Sequence, residues 1–361
     1  MCYNINIMEK EKRLLEVSEY QTRKEGMTQH TIYTIKKGSD LKTVEKKYKD
    51  FEILRAKLAE RWPGIFIPEI QPKKTVGRTE DEIANNRKSE LNRFIKKIEK
   101  IDYLYYSDEI ENFFDAQVVL KSENYETIAN KYKNAFQDFD SNFNEDSDEV
   151  KTHLKSFFEK IKNIKAKTTE LLSIVTDLKL KEQKNKEMFL NTIEQFHIFE
   201  KDALMEYVNN DCNQLVLFNM NNDPLLQSIV NFIRDSTNPF DSFLSKLTDD
   251  LLDEDALLSA FDSLQNLKSI LARPKKAKQK NGNNMNDNSL TALREIIKIS
   301  TWHLNKETKL YNELTVSNYS KEIAKMKESF ASKDQMKGEI LSAVLGDKNI
   351  NSIQLDKSVK V

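Results

Sequence analysis

Glycine and proline are scarce in this chain. Its 361 residues include 7 Gly and 6 Pro, whereas 32% of them are charged and 39% are hydrophobic. Four of the glycines and three of the prolines lie before residue 78. A large single globule with many loops needs more of both residues, and long exposed helices need few. We therefore predict a compact mixed domain in roughly the first third of the chain and helices in the remainder.

The chain also lacks the features of secreted, membrane-spanning and strongly basic proteins. Its two cysteines, Cys2 and Cys212, give no disulfide framework, which is typical of a reducing cytosolic compartment. No apolar run approaches the ~18 residues that indicate a membrane span. The first residues lack the pattern of a signal peptide. The net charge of −1 excludes a nucleic-acid-binding polycation. We expect a cytoplasmic protein that meets anionic partners through local basic patches.

No constellation of residues indicates an enzyme. The four histidines are isolated from one another and match no metal-ligand spacing. A glycine-rich phosphate loop, a nucleophile elbow and a Cys–His pair are all absent from the sequence. We therefore predict no catalytic activity, no metal site and no cofactor.

Alternating residues in the first third predict a small antiparallel sheet. Leu15 and Val17 alternate with polar residues, and two more short apolar segments, 31–35 and 41–45, follow turn residues. This pattern predicts a three-stranded meander. Helices follow, since apolar residues recur there at helical spacing: Phe51, Leu54 and Leu58 in the first helix, and Leu91, Phe94, Ile95 and Ile98 in the second.

A heptad pattern marks the longest helical segment. Its positions follow a 4-3 spacing through Val150, Leu154, Phe157, Ile161, Ile164, Thr168, Leu171, Val175 and Leu178. Pro224 and a breaker-rich loop after Arg273 separate this helix from two more, with an interruption at Asn238-Pro239. We predict three long helices that pack as antiparallel neighbours and form a dimer, because a thin bundle buries little surface alone.

A separate amphipathic segment, residues 124–139, precedes these helices. Its apolar face includes Tyr125, Ile128, Tyr132 and Phe136. Two interpretations stay open. The segment inserts into a membrane surface as a wedge, or it packs between the first domain and the long helices.

Several cations and one tyrosine lie close together in the sequence, where the third strand passes into the first helix. The run Lys46-Lys47-Tyr48-Lys49-Asp50-Phe51 lies there, Lys73 follows a proline-containing loop, and Arg87 lies on the next helix. Lysine suits phosphate as a point charge and arginine suits it as a fork. Together these residues predict a phosphoinositide pocket. Taken singly, each is better explained as a solvated turn, a core ring or a helix surface.

The order of these features resembles the PX domain family over roughly residues 10–118. The resemblance implies four headgroup-binding residues: Lys47 for the 3-phosphate, Tyr48 for the inositol ring, Lys73 for the 1-phosphate and Arg87 for the ring hydroxyls. The family usually has arginine at the position of Lys47, and it has prolines where this chain has Glu69 and Gln71.

Residues 122 to about 345 resemble the BAR region of sorting nexins, in which three long helices follow an amphipathic helix. In that resemblance the loop that begins at Arg273 is a basic tip that contacts anionic lipid. The implied membrane contacts are Val76 and Lys74 in the first domain, and Arg273, Lys275, Lys276, Lys278 and Lys280 in this loop. A solvated flexible loop is the alternative for the latter group.

These observations combine into one prediction for the whole chain. The fold class is an α+β PX domain with a three-stranded antiparallel sheet, followed by an all-α BAR-like bundle of three long helices. The predicted ranges are a PX domain at 1–118, an amphipathic linker helix at 119–147, a BAR-like dimerisation domain at 148–345 and a disordered tail at 346–361.

The PX–BAR resemblance also implies a function. It implies a peripheral protein of early endosomes that binds phosphatidylinositol 3-phosphate, senses or induces curvature in sorting, and forms a homodimer or heterodimer. Cargo and coat partners are not identifiable from the sequence, and no nucleic acid is expected. The alternative is a coiled-coil tether or cytoskeletal scaffold whose PX fold serves only protein contacts.

Overall fold

A computed structural model describes residues 13–25, 28–38, 42–72, 80–199, 224–277 and 286–345. The chain forms two compact units. The first combines Met1–Ala166 with Asp249–Thr315, and the second combines Lys167–Thr248 with Val316–Val361. No helix in the described ranges is long and apolar enough to cross a bilayer.

The sheet of the first unit contains three antiparallel strands in the order β1-β2-β3. They are β1 (Leu15–Glu25), β2 (Thr28–Lys37) and β3 (Lys42–Lys47). On β2, Tyr33 and Ile35 are 1% and 0% exposed and lie on one face of the strand, while Ile32 and Thr34 on the other face are 8% exposed and half-buried. The predicted three-stranded meander is confirmed.

Four helices complete the sheet domain. They are α1 (Tyr48–Arg61), α2 (Glu80–Glu99), α3 (Asp102–Tyr105) and α4 (Asp108–Phe114). The apolar positions identified in the sequence are the buried ones: Phe51, Leu54 and Leu58 on α1, and Leu91, Phe94, Ile95 and Ile98 on α2. The helical spacing therefore places one face of each helix in the core.

The rest of the described chain is helical. Its elements are α5 (Tyr125–Ala135), α6 (Asp148–Phe199), α7 (Pro224–Asp235), α8 (Asp241–Ala277) and α9 (Asp287–Leu345). The predicted fold class is confirmed: a sheet with helices is followed by a mostly helical part with three long helices. The interruption at Asn238-Pro239 is present, where the Asn238 side chain accepts a hydrogen bond from the Phe240 amide at 3.0 Å.

The end of α8 differs from the prediction. The sequence predicts a loop for Arg273, Lys275 and Lys276, because Pro274 favours the end of a helix. The backbone stays helical to Ala277. Cations in a last turn are favourable, since the carbonyl end of a helix carries partial negative charge. Lys278 and Lys280 lie outside the described residues.

Only part of the predicted heptad seam is covered within this chain. In the first unit, Leu154, Phe157 and Ile161 are at most 6% exposed. In the second unit, Val175 packs in a cluster with residues of α8, whereas Leu171 and Leu178 are 38% and 40% exposed. The seam is therefore a closed core near the start of α6 and an incomplete one further along.

The sheet domain and parts of the helices share one core in the first unit. The link is the segment after α1, where the Tyr132 hydroxyl donates to the Pro63 carbonyl at 2.7 Å. The Gly64 amide donates to the Ser263 hydroxyl at 3.0 Å. Gly64 has a φ of 79°, and a Cβ there would lie 2.9 Å from the side chain of Ser300. The segment therefore fits directly against α5, α8 and α9.

Candidate phosphoinositide-binding site

The site begins at the junction of β3 and α1. Lys47 is the last residue of β3 and takes an extended backbone conformation, with φ −86° and ψ 160°. Its amide donates to the Asp50 carboxylate at 2.7 Å. An acidic side chain at this position accepts a hydrogen bond from a free amide, and the partial positive charge at the start of the helix stabilises its negative charge. The local sequence therefore fixes where Lys47 ends the strand and Tyr48 starts the helix.

Tyr48 and Arg87 are the two predicted site residues that the structure brings into contact. The Arg87 guanidinium carbon lies 5.0 Å from the centroid of the Tyr48 ring. The Tyr48 hydroxyl donates to the Gln71 carbonyl at 2.9 Å. The contact is a cation–π interaction. It joins α1, the loop before residue 73 and α2 at one place.

The Tyr48 phenol is held in its neutral form. Burial raises the pKa of Tyr48 above its ordinary value, with a further contribution from the charge of Glu52, while the positive charge of Arg87 opposes both. A neutral phenol keeps its proton for the hydrogen bond to Gln71. The ring is therefore fixed in orientation from both ends, by α1 and by that hydrogen bond.

Tyr33 is a neighbour of this pair that the sequence did not single out as a site residue. Its side chain is 1% exposed, and its ring packs edge-on against Phe51 with centroids 6.4 Å apart. The charge of Arg87 acts on its hydroxyl. The only sequence signal was the β-strand alternation, which identifies core positions and not the polar end of a core side chain.

The other predicted contact residues lie away from the Tyr48–Arg87 contact or outside the described side chains. The Lys46 ammonium lies 5.0 Å from the centroid of the Phe113 ring on α4. Lys49 is exposed on the first turn of α1. Lys73, Lys74 and Val76 lie outside the described residues. For Arg273, Lys275 and Lys276 the helical backbone is described and the side chains are not. The roles given to these residues stay predictions.

The loop after α1 is held by an ion pair. Arg55 on α1 donates to the Glu69 carboxylate, and its guanidinium also lies 3.3 Å from the Ser259 hydroxyl. Burial raises the pKa of Glu69, against the opposing charge of Arg55. A small cavity of about 40 Å³ lies beside Arg55, between α1 and α8, with Trp62 and Ser263 in its lining. Glu69, at a usual proline position of the family, therefore has a structural partner of its own.

In the described ranges, no three His, Cys, Asp or Glu side chains lie close enough to one another to hold a metal ion. The chemistry available around Tyr48 is charge, hydrogen bonding and an aromatic face. Those are the means of recognising an anionic, hydroxyl-rich ligand.

Comparisons with known proteins agree with the N-terminal fold. The family model "PX domain" matches residues 35–117. The vacuolar protein sorting-associated protein vps5 of Schizosaccharomyces pombe is 32% identical over 92 residues, which are 23% of this chain and 16% of that protein. Sorting nexin-18 of Mus musculus is 32% identical over 71 residues, which are 20% of this chain and 12% of that protein. Each match thus spans less than one fifth of the relative.

One solved structure is similar over most of the chain. The cryo-EM structure of the SNX-BAR Mvp1 tetramer has a TM-score of 0.49 and 17% identity, covering 92% of this chain and 100% of that chain. The PX domain and the resemblance to sorting nexins are confirmed, while the predicted domain boundaries and site residues stay predictions.

Proposed function

We propose that this chain, which carries a PX domain and resembles sorting nexins of the PX–BAR type, is a non-catalytic peripheral membrane protein that binds phosphatidylinositol 3-phosphate. One observation supports this most: the Arg87 guanidinium lies 5.0 Å from the Tyr48 ring centroid, beside the end of β3. The proposed setting is the cytosolic face of early endosomes, in the sorting of membrane cargo into tubules or vesicles.

The proposed site divides the headgroup among four side chains. The Tyr48 ring packs on the apolar face of the inositol, and the Arg87 fork binds adjacent ring hydroxyls through two N–H groups. Lys47 meets the 3-phosphate and Lys73 meets the 1-phosphate as point charges. Val76 and Lys74, which follow in the same loop, contact the bilayer itself.

Exposed apolar side chains in the second unit support a paired helical part. On α6, Leu171, Ile174 and Leu178 are 38%, 51% and 40% exposed. We propose that a second copy of this chain, or a related chain, covers them in a BAR-type dimer that senses or induces curvature. Such a dimer presents two PX sites, so weak headgroup contacts gain avidity.

Basic residues near the end of α8 extend the membrane contact. Arg273, Lys275 and Lys276 belong to its last turns, and Lys278 and Lys280 follow. A cation close to an anionic surface contributes about 1 kcal/mol, and salt screens it. This contact adds affinity for negatively charged membranes without choosing among phosphoinositides.

Vesicle co-sedimentation tests the proposal. Vesicles of phosphatidylcholine and phosphatidylserine carry phosphatidylinositol 3-phosphate, phosphatidylinositol 4-phosphate or neither, at equal total charge. The full chain is expected to prefer the 3-phosphate, and Arg87→Ala and Lys47→Ala are expected to weaken that binding about tenfold or more. Lys46→Ala is the matched control, because its ammonium packs over Phe113. Equal binding to all vesicles by the folded protein overturns the proposal.

A tethering or scaffold function is the second candidate. Lys47 favours it, because a lysine in place of the family's usual arginine offers no bidentate fork to a phosphate. In that case the PX fold makes only protein contacts. A correctly folded chain with no lipid preference, whose site variants behave like the parent, is the outcome that supports this function.

A further inference from the structure

The Tyr33 hydroxyl lies in the core of the PX domain without a hydrogen bond of ordinary length and angle. The side chain is 1% exposed and the hydroxyl oxygen has no such partner among the described residues, yet Arg87 is close enough for a weak side-chain hydrogen bond that lowers the Tyr33 pKa. Most buried polar groups in proteins are well hydrogen-bonded, so a weakly satisfied hydroxyl suits a partner that moves closer when a ligand binds. The surroundings of Tyr33 indicate which partner this is.

Tyr33 lies close to α1 and α2, the two helices that carry Tyr48 and Arg87. It faces Phe51 of α1 through an edge-on ring contact at 6.4 Å. Its hydroxyl lies within the electrostatic reach of Arg87 and Glu90 on α2, and of Tyr20, its cross-strand partner on β1. Tyr20 is occupied otherwise, since its hydroxyl lies 3.4 Å from the Asp81 carbonyl. Arg87 is thus the nearby donor with several N–H groups to share.

The ionisation state of Tyr33 suits a support for a cation. Burial is the largest cause that raises the pKa of Tyr33 to about 12, although the positive charge of Arg87 opposes it. The hydroxyl is therefore neutral at physiological pH and can accept an N–H without cancelling the charge. A carboxylate in the same place would hold the guanidinium but would also compete with a phosphorylated ligand for it.

We propose that Tyr33 is a positioning residue for headgroup recognition: its hydroxyl oxygen accepts one Arg87 N–H when a headgroup binds, so that the remaining N–H groups face the inositol hydroxyls. The Tyr48 ring lies against the guanidinium and Tyr33 fixes its rotation. This inference deepens the proposed function and rests on it, since it concerns the same site and the same inositol phospholipid.

The test removes only the hydroxyl. Tyr33→Phe is expected to weaken binding of the full chain to vesicles containing phosphatidylinositol 3-phosphate about tenfold. The midpoint of thermal unfolding is expected to stay nearly unchanged, because in the ligand-free state the hydroxyl makes at most a weak hydrogen bond to Arg87. Tyr103→Phe is the matched control: it removes a hydroxyl that donates to the Phe66 carbonyl at 2.9 Å, away from the site, and is expected to leave vesicle binding unchanged.

A double-mutant cycle separates positioning from a general effect on the fold. Vesicles rich in phosphatidylinositol 3-phosphate keep weak binding measurable. If Tyr33 acts through Arg87, Tyr33→Phe has no further effect in an Arg87→Ala background. If Tyr33→Phe lowers vesicle-binding affinity by the same factor in both backgrounds, the inference is overturned, because Tyr33 then acts without Arg87.

The inference and the proposed function are overturned by different results. If the parent chain binds the 3-phosphorylated lipid and Tyr33→Phe binds it equally well, the inference is overturned and the proposed function stands. If the parent chain shows no preference for that lipid, the proposed function is overturned and the inference falls with it.

Discussion

Trp62 stacks on Tyr132, with ring centroids 5.5 Å apart and an interplanar angle of 12°. Trp62 ends the first helix of the PX domain and Tyr132 lies on α5, so the stack joins the two directly. Tyr132 is 0% exposed and Phe136 is 6% exposed. Of the two interpretations of this amphipathic segment, the structure favours the one in which its apolar face packs against protein.

The stack predicts a large effect of truncation at Tyr132. We expect Tyr132→Ala to lower the free energy of unfolding by about 3–5 kcal/mol, because a buried aromatic ring is lost and the Pro63 carbonyl loses its donor. Urea denaturation measures this. Tyr106→Ala is the control, since that ring is 63% exposed. If α5 were a membrane wedge, the two variants would have similar stability.

The close packing around Gly64 predicts that a side chain there destabilises the fold, and Gly38 is a glycine of similar φ for comparison. Gly64 and Gly38 have φ values of 79° and 71°. A Cβ on Gly64 would lie 2.9 Å from Ser300, whereas a Cβ on Gly38 has nothing within 4 Å. We expect Gly38→Ala to cost about 1–2 kcal/mol from backbone strain and Gly64→Ala to cost clearly more. Thermal unfolding of the two variants compares them, and equal costs would contradict the close packing at Gly64.

A buried ionic cluster predicts acid sensitivity. Glu109 is 1% exposed and accepts from the Arg61 guanidinium, which also lies 2.8 Å from the Glu123 carboxylate. Burial acts to raise the pKa of Glu109, but the Arg61 hydrogen bond and the charge of Lys131 outweigh it, so this pKa is lowered. Glu109 therefore stabilises the fold above its ordinary pKa, and this stability is lost as the pH falls through the lowered value.

Substitution at Glu109 tests the cluster. We expect Glu109→Ala to cost about 3 kcal/mol near neutral pH, because it removes the most buried carboxylate and leaves Arg61 and Lys131 to share Glu123. Urea unfolding at several pH values is the measurement, and the deficit is expected to shrink in acid. The double variant Arg61→Met, Glu109→Leu is expected to recover much of the loss, since an apolar pair removes both charges. A double variant as unstable as Glu109→Ala would contradict this account.

Glu307 predicts the opposite dependence on pH. It is 8% exposed on α9, and burial raises its pKa to about 7. Between its ordinary pKa and about 7 the folded state binds more protons than the unfolded state, so stability falls as the pH rises through that window. We expect Glu307→Gln to be neutral near pH 5 and to stabilise the protein by about 2–3 kcal/mol near pH 8. Glu313→Gln, an exposed position on the same helix, is the control for thermal unfolding.

The buried His303 predicts a loss of fold stability at acid pH. Its ring packs against Tyr103 and Phe136, its Nε2 has no partner among the described residues, and burial lowers its pKa to about 3. The unfolded state takes up the proton first, so stability falls as the pH drops from its ordinary pKa toward that value. We expect the midpoint of thermal unfolding to fall less steeply in His303→Phe than in the parent between about pH 6.5 and pH 4. An unchanged slope would mean that His303 titrates normally.

Local patterns in the sequence predict the elements better than they predict the contacts between them. Strand alternation and helical spacing identify β1 to β3 and the buried faces of α1 and α2, because both follow from neighbours along the chain. The structure places Arg87 5.0 Å from the Tyr48 ring centroid, while the binding roles given to both residues stay predictions. The end of α8 is misplaced, because the sequence predicts a break at Pro274 whereas the helix continues to Ala277.

Long-range partners carry no such signal. Nothing near Glu69 in the sequence identifies Arg55 as its partner, and the Tyr33 hydroxyl looks like any core tyrosine until Arg87 is placed beside it. The contact of Gly64 with Ser300 joins residues far apart in the chain. These features depend on tertiary packing, which a single sequence does not contain in readable form.

The helix α1 starts with the residue that faces the proposed lipid headgroup and ends at the Trp62 stack. Its 14 residues correspond to a rod of about 21 Å, stiff on the scale of one headgroup. The helix therefore connects the Tyr48–Arg87 contact at its first residue with the Trp62–Tyr132 stack beyond its last. A change in the direction of α1 moves both contacts together, whereas a longer, flexible connector would let them move independently.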